Sequence, residues 1–187
     1  MAVTFRDADD VEELGAAGFL KIDSADEGSM IRGALFLINA RGEPLEFTYN
    51  RIETPNSFLW RQDDIRRFAV RKLVTSMLST CSKVPQFIIC LADEVYHELF
   101  SKEIFLSIPV CRVASFAKAV SHSKLEIEDS VEEPQQMHLF WFPGKPADQS
   151  REQRLLDRLV GGGLLVEPFE RALIGLQEVY PSDAARG

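Results

Sequence analysis

The sequence predicts an α/β (α+β) fold built on a mixed sheet, and three observations predict it. Two β-forming segments, ALFLI at 34–38 and LEFTY at 45–49, flank ARGEP at 40–44 in the manner of a β-hairpin. Two short apolar segments, FIICL at 87–91 and IPVCRV at 108–113, bracket a stretch of helical character, the pattern of a βαβ unit with parallel strands. Apolar residues recur at helical spacing over 63–79, 151–160 and 168–180.

Taken in order, residues 1–17 are acidic and Ala-rich, and Asp9 or Asp10 is placed to cap a short helix ending near Gly15 and Gly18. Segment 18–24 alternates Phe19, Lys21 and Asp23 with Leu20 and Ile22, a first strand. After a turn at 26–29 comes the hairpin, which completes an antiparallel meander. Its uniformly apolar second strand suits a central position covered on both faces. Its third strand sets Leu45, Phe47 and Tyr49 against Glu46, Thr48 and Asn50, which suits exposure on one side. Gly42 supplies the backbone freedom that the turn between them needs.

The sequence TPNS at 54–57 breaks the pattern, and a helix over 63–79 follows. Asp63 and Asp64 lie at its N-terminus, where the dipole favours them. Ile65, Phe68, Ala69, Leu73, Val74, Met77 and Leu78 make its buried stripe. Between the two short strands, 93–101 reads as a helix facing inward with Val95, Leu99 and Phe100, and 115–121 as a further helical piece. The acidic run 126–133 is a solvated loop or an edge strand. Segment 136–142 is a strand ended by Pro143-Gly144. The helix at 151–160 buries Leu155, Leu156 and Leu159 and stops at Gly161-Gly162-Gly163. Pro168 suits the first turn of the last helix, which faces inward with Phe169, Ala172, Leu173, Leu176 and Val179. The expectation is one domain over 1–187, with a sheet core at 18–142 and a helical pair at 151–180 that covers the sheet or projects as a docking arm.

Composition bounds the function. With 187 residues, 45% of them apolar, the chain has material for a full core, and a chain this long buries roughly 70% of its unfolded surface. A net charge of −8 argues against a protein coated in nucleic acid and leaves room for a local basic patch. Cys81, Cys90 and Cys111 are widely spaced, with no zinc pattern, as in a reducing compartment. The N-terminus lacks the basic head and apolar core of a signal peptide, and no apolar run approaches the ~18–20 residues of a membrane span. The expected location is the cytoplasm, with no membrane partner.

Several groups of residues could carry chemistry. Asp93 and Glu94 end a predicted parallel strand, where ligands gather, and His97 follows at a spacing that suits an acid–base pair or two metal ligands. The same residues also suit a helix cap and a solvated helix face. His122 lies between serines without a nucleophile elbow, and His138 alternates within a strand, so neither reads as catalytic. The glycines at 42, 144 and 161–163 match no phosphate-binding loop. One segment, 51–72, is positive: Arg51, Arg61, Arg66, Arg67, Arg71 and Lys72 interleave with Phe58 and Trp60. Such a segment can hold phosphates and unstacked bases, dock an acidic protein, or simply be a solvated helix face.

The segments GALFLINARGEPLEF and LLVEPFERAL resemble stretches of prokaryotic proteins with no attached activity. Strand, turn, strand and long helix together resemble, in layout, adaptors of the roadblock, longin and profilin type. That likeness is one of layout alone; what points to partner docking is the lack of a catalytic constellation together with the large aromatics Phe58, Trp60, Phe140, Trp141 and Phe142 near predicted loops. The leading expectation is therefore a non-enzymatic adaptor subunit of a cytosolic prokaryotic complex, without cofactor or metal, that docks protein partners through Phe58, Trp60, Arg61, Arg66, Arg67 and Arg71. One alternative is a small enzyme or ligand binder using Asp93, Glu94 and His97, with Ser115 nearby. The other is a nucleic-acid-processing accessory subunit that meets phosphates through Arg66, Arg67 and Arg71.

Overall fold

Side-chain alternation along the strands divides the apolar residues between two cores, one on each face of a single sheet. The computed structural model describes residues 2–4, 11–25, 28–115, 121–132 and 135–181. Its strands are β1 (Ala17–Ala25), β2 (Met30–Ile38), β3 (Pro44–Glu53), β4 (Phe87–Leu91), β5 (Val110–Ala114), β6 (Ile127–Val131) and β7 (Met137–Phe142). Its α-helices are α1 (Val11–Leu14), α2 (Gln62–Thr80), α3 (Arg151–Gly161) and α4 (Glu167–Val179). The strands form a seven-stranded mixed sheet in the order β3-β2-β1-β4-β5-β7-β6. The meander β1–β2–β3 is antiparallel, β1, β4 and β5 are mutually parallel, and β5, β7 and β6 pair antiparallel. The fold is α/β, as the periodicities imply.

Phe19, Phe36, Phe87, Ile89 and Trp141 pack on one face with Leu155 and Leu159 of α3 and Phe169 and Leu176 of α4. Leu20, Leu35, Leu37, Ile88 and Cys90 pack on the other with Ala69, Val70, Leu73 and Met77 of α2. This sandwiching is why residues 34–38 of β2 and 87–91 of β4 read as unbroken apolar runs. The C-terminal helices cover the sheet and do not project from it. Strand β6 is an edge strand, which resolves the acidic run. Gly42 has φ +80° at the hairpin turn. Among the described residues no helix is long and apolar enough to cross a membrane.

Three elements depart from expectation. The helix over 93–101 is replaced by turns and a short π-helix, Leu99–Glu103. The reason lies on a neighbouring strand: the carbonyls of Ala92 and Val95 accept hydrogen bonds from the Arg112 guanidinium at 3.1 and 2.8 Å, which draws this segment onto β5. Phe68 leaves the buried stripe of α2 and packs at a tilt against Trp60 with ring centroids 5.2 Å apart. The first helix ends at Leu14, ahead of Ala16, its expected last residue. Its expected caps, Asp9 and Asp10, and most of the helical piece at 115–121 lie outside the described residues.

Candidate functional site

The sheet order reverses between β1 and β4. From β1 the chain winds outward to β2 and β3; from β4 it winds the other way to β5. In open α/β sheets such a switch point leaves a crevice at the strand carboxyl ends, where ligands bind. Strand β3 runs parallel to β1, since both oppose β2. Helix α2 therefore starts at that same end, and its first turns overhang the crevice.

Beneath the crevice, Lys21 of β1 forms an ion pair with Glu94, just past β4, and both side chains are nearly buried. The second oxygen of Glu94 accepts a hydrogen bond from the backbone N–H of Ile22 at 3.0 Å. Burial pushes the Glu94 carboxyl above its usual range, against the opposing pull of Lys21 and the Ile22 N–H. Glu94 thus fastens β4 to β1 and is not a free ligand.

Arg112 of β5 is 4% exposed. Its Nε donates to the Val95 carbonyl at 2.8 Å, its Nη2 to the carbonyls of Ala92 and Ser121 at 3.1 and 3.2 Å, and its Nη1 to both oxygens of Glu126 at 2.9 and 3.2 Å. Every guanidinium donor is engaged. Arg112 therefore shapes the floor of the site and has nothing left for a ligand.

Above this floor is a cavity of about 420 Å³ lined by Asp63, Arg66 and Arg67 of α2 and by Asp93, Tyr96, His97 and Glu98. Among the described residues Arg66 makes long contacts, to Ser24 Oγ and the Glu94 carbonyl, both at 3.3 Å. Arg67 lies over the Tyr96 ring, 4.8 Å from its centroid, and its Nη2 is 3.7 Å from Glu98 Oε2. The Tyr96 hydroxyl donates to Glu103 Oε2 at 2.9 Å, and burial holds its pKa well above the ordinary phenol value. His97 Nδ1 is 3.4 Å from Glu98 Oε2. Among the described residues no three His, Cys, Asp or Glu side chains converge as a metal ion would need.

The structure thus merges two groups that the sequence keeps apart: Arg66 and Arg67 face the same cavity as Asp93 and His97. The other suspected residues lie elsewhere. Arg61 pairs with Asp64 at 3.2 Å in solvent, and Arg71 is exposed farther along α2. Phe58 is 76% exposed, and Trp60 is partly covered by Phe68. Ser115 turns toward the Met137 sulfur at 3.8 Å. His122 stacks on Phe140, and His138 lies 3.7 Å from Glu128. Sequence reading missed Lys21, Tyr96, Glu98 and Arg112. For Arg112 a signal exists: an arginine inside the apolar run IPVCRV needs buried partners.

No protein-family model and no curated protein matches the chain. Solved structures share its fold. Endonuclease V from Bacillus subtilis superposes with a TM-score of 0.60 at 10% identity, over 90% of this chain and 83% of that one. Endonuclease V from Streptomyces avermitilis gives 0.51 at 11% identity, over 88% and 82%. At such identities the likeness is one of fold.

These matches overturn the expectation of a non-enzymatic adaptor subunit. The architecture is shared with enzymes named as endonucleases, and its strand-end cavity belongs to the second half of the sheet, which the small adaptors' layout lacks. The aromatic residues behind that expectation also have a plainer role: Phe140 and Trp141 are fully buried core.

Proposed function

We propose that this chain is a nucleic-acid-processing domain that receives a single strand's phosphodiester backbone in the strand-end cavity, with Arg66 and Arg67 meeting the phosphate. The observation that carries this reading is the convergence of both arginines with Asp93 and His97 on one cavity of about 420 Å³. Both arginines hold their partners loosely, at 3.3 Å or more, so their donors can turn to a phosphate at little cost. The exposed rings of Phe58 and Trp60 precede the overhanging turn of α2 and offer stacking surfaces for unpaired bases. An acidic surface elsewhere, from the net charge of −8, confines the attraction to this patch. The endonuclease V fold agrees with this reading.

Fluorescence anisotropy with an end-labelled single-stranded oligonucleotide tests it. Binding is expected to weaken as salt rises. The Arg66→Ala/Arg67→Ala double variant is expected to flatten the log K against log salt slope by about 0.7 for each phosphate it no longer neutralises. Salt-independent binding, or a double variant that binds like the parent, would refute the assignment.

A further inference from the structure

His97 Nδ1 and Glu98 Oε2 are buried polar atoms 3.4 Å apart, and among the described residues neither has a hydrogen-bond partner. A buried polar atom without a partner is costly in any fold. Two such neighbouring atoms satisfy each other once a proton sits on Nδ1 and a small side-chain rotation points it at the carboxylate. That tautomer leaves Nε2 unprotonated, as an acceptor. Because Nδ1 is buried, Nε2 is the nitrogen the imidazole has left for the cavity it lines. A carboxylate that fixes the tautomer and orientation of an imidazole is how a histidine is prepared for proton transfer.

We infer that His97 is the general base of a phosphodiester hydrolysis in this cavity, with Glu98 as its positioning residue. The inference rests on the binding reading above and adds the reaction. Arg66 and Arg67 hold the nonbridging oxygens of the phosphate. His97 Nε2 takes a proton from water as the water oxygen bonds to phosphorus. The bond from phosphorus to the leaving sugar oxygen breaks, and its electron pair stays on that oxygen. The proton on Nε2 then passes to the leaving oxygen. The products are a phosphomonoester and a free hydroxyl, and nothing is oxidised or reduced.

Charged groups face His97 from three elements. Asp63, Arg66 and Arg67 face it from α2, and Asp93, Glu94 and Glu98 from its own segment. Arg112 faces it from β5 with its charge balanced by Glu126, and Glu94 is balanced by Lys21. Glu98 is therefore the carboxylate whose removal acts most directly on the imidazole.

The test runs cleavage and binding side by side on end-labelled single-stranded DNA and RNA, with the full chain, as a function of pH. His97→Gln is expected to cut cleavage by about 10²–10⁴-fold and to leave anisotropy-measured binding in place. Glu98→Gln is expected to lower kcat with KM held, and Glu98→Asp to restore part of it. If the parent binds strands but cleaves neither, or His97→Gln cleaves like the parent, the inference is overturned and the binding reading stands. If nothing binds even at low salt, both fall together. Should His97→Gln lose its near-UV circular dichroism, Glu98→Gln decides alone, and a kcat equal to the parent's overturns the inference.

Discussion

Lys21 and Glu94 bring opposite charges together with side chains only 13% and 12% exposed. Withdrawing both from water offsets most of their attraction, so the pair adds little net stability, yet removing one partner strands the other. Lys21→Met is therefore expected to cost about 3 kcal/mol, the lower end of the range for breaking a buried pair, and adding Glu94→Gln to recover much of it. Urea denaturation measures both. The pair also carries a pH signature. The carboxyl of Glu94 is raised in the folded state, so the native protein binds that proton more tightly than the unfolded chain. Its contribution is fully present below the ordinary carboxylate value and is lost as pH rises through the raised one. Melting curves should show the parent losing stability relative to Glu94→Gln over that interval. At this scale the sequence was only partly legible. Arg66, Arg67, Asp93 and His97 could be picked out by residue type and local spacing. The Lys21–Glu94 pair, far apart along the chain, could not.

Among the elements, the hairpin was the most legible because its determinants are local. The Asn39 side chain accepts the N–H groups of Arg41 and Glu43 at 2.9 and 3.0 Å, and the Asn39 carbonyl accepts the N–H of Gly42 at 2.9 Å. Gly42 has φ +80°, and a Cβ there would stand 2.9 Å from Leu164 Cδ1. Gly42→Ala is expected to cost about 1–2 kcal/mol from left-handed backbone strain alone, read as a lower urea midpoint with an unchanged slope. The segment after β4 was misread for the opposite reason. Its apolar spacing fits a helix, but Arg112 captures its carbonyls from a neighbouring strand. A side chain on another element outweighed a modest local preference.

The whole molecule is a sheet covered on both faces, and neither cover is optional. Helices α3 and α4 shield Phe19, Phe36, Ile89 and Trp141. A fragment ending at Ser150 would leave that face to water, so it is expected to bind a hydrophobic dye and to lack near-UV circular dichroism. A fragment that melts cooperatively with native-like tertiary signals would contradict this. The same layering turns the layout resemblance to small adaptors aside. The first strands and α2 do follow one another as in that layout, but β4, β5, β7 and β6 extend the sheet past β1 and create the switch point.

By itself the sequence determined most strands, the long helices and the hairpin turn, because side-chain periodicity and backbone stereochemistry act over a few residues. It also determined that β2 lies inside the sheet, since residues 34–38 are apolar on both faces. The tertiary structure alone decided that β4 lies beside β1, and with that the cavity. Strand order follows from burying two continuous cores at once, a condition that no local window contains. The same long-range pairing brought the arginines of α2 to Asp93 and His97, set Lys21 against Glu94, and gave Arg112 its buried partners.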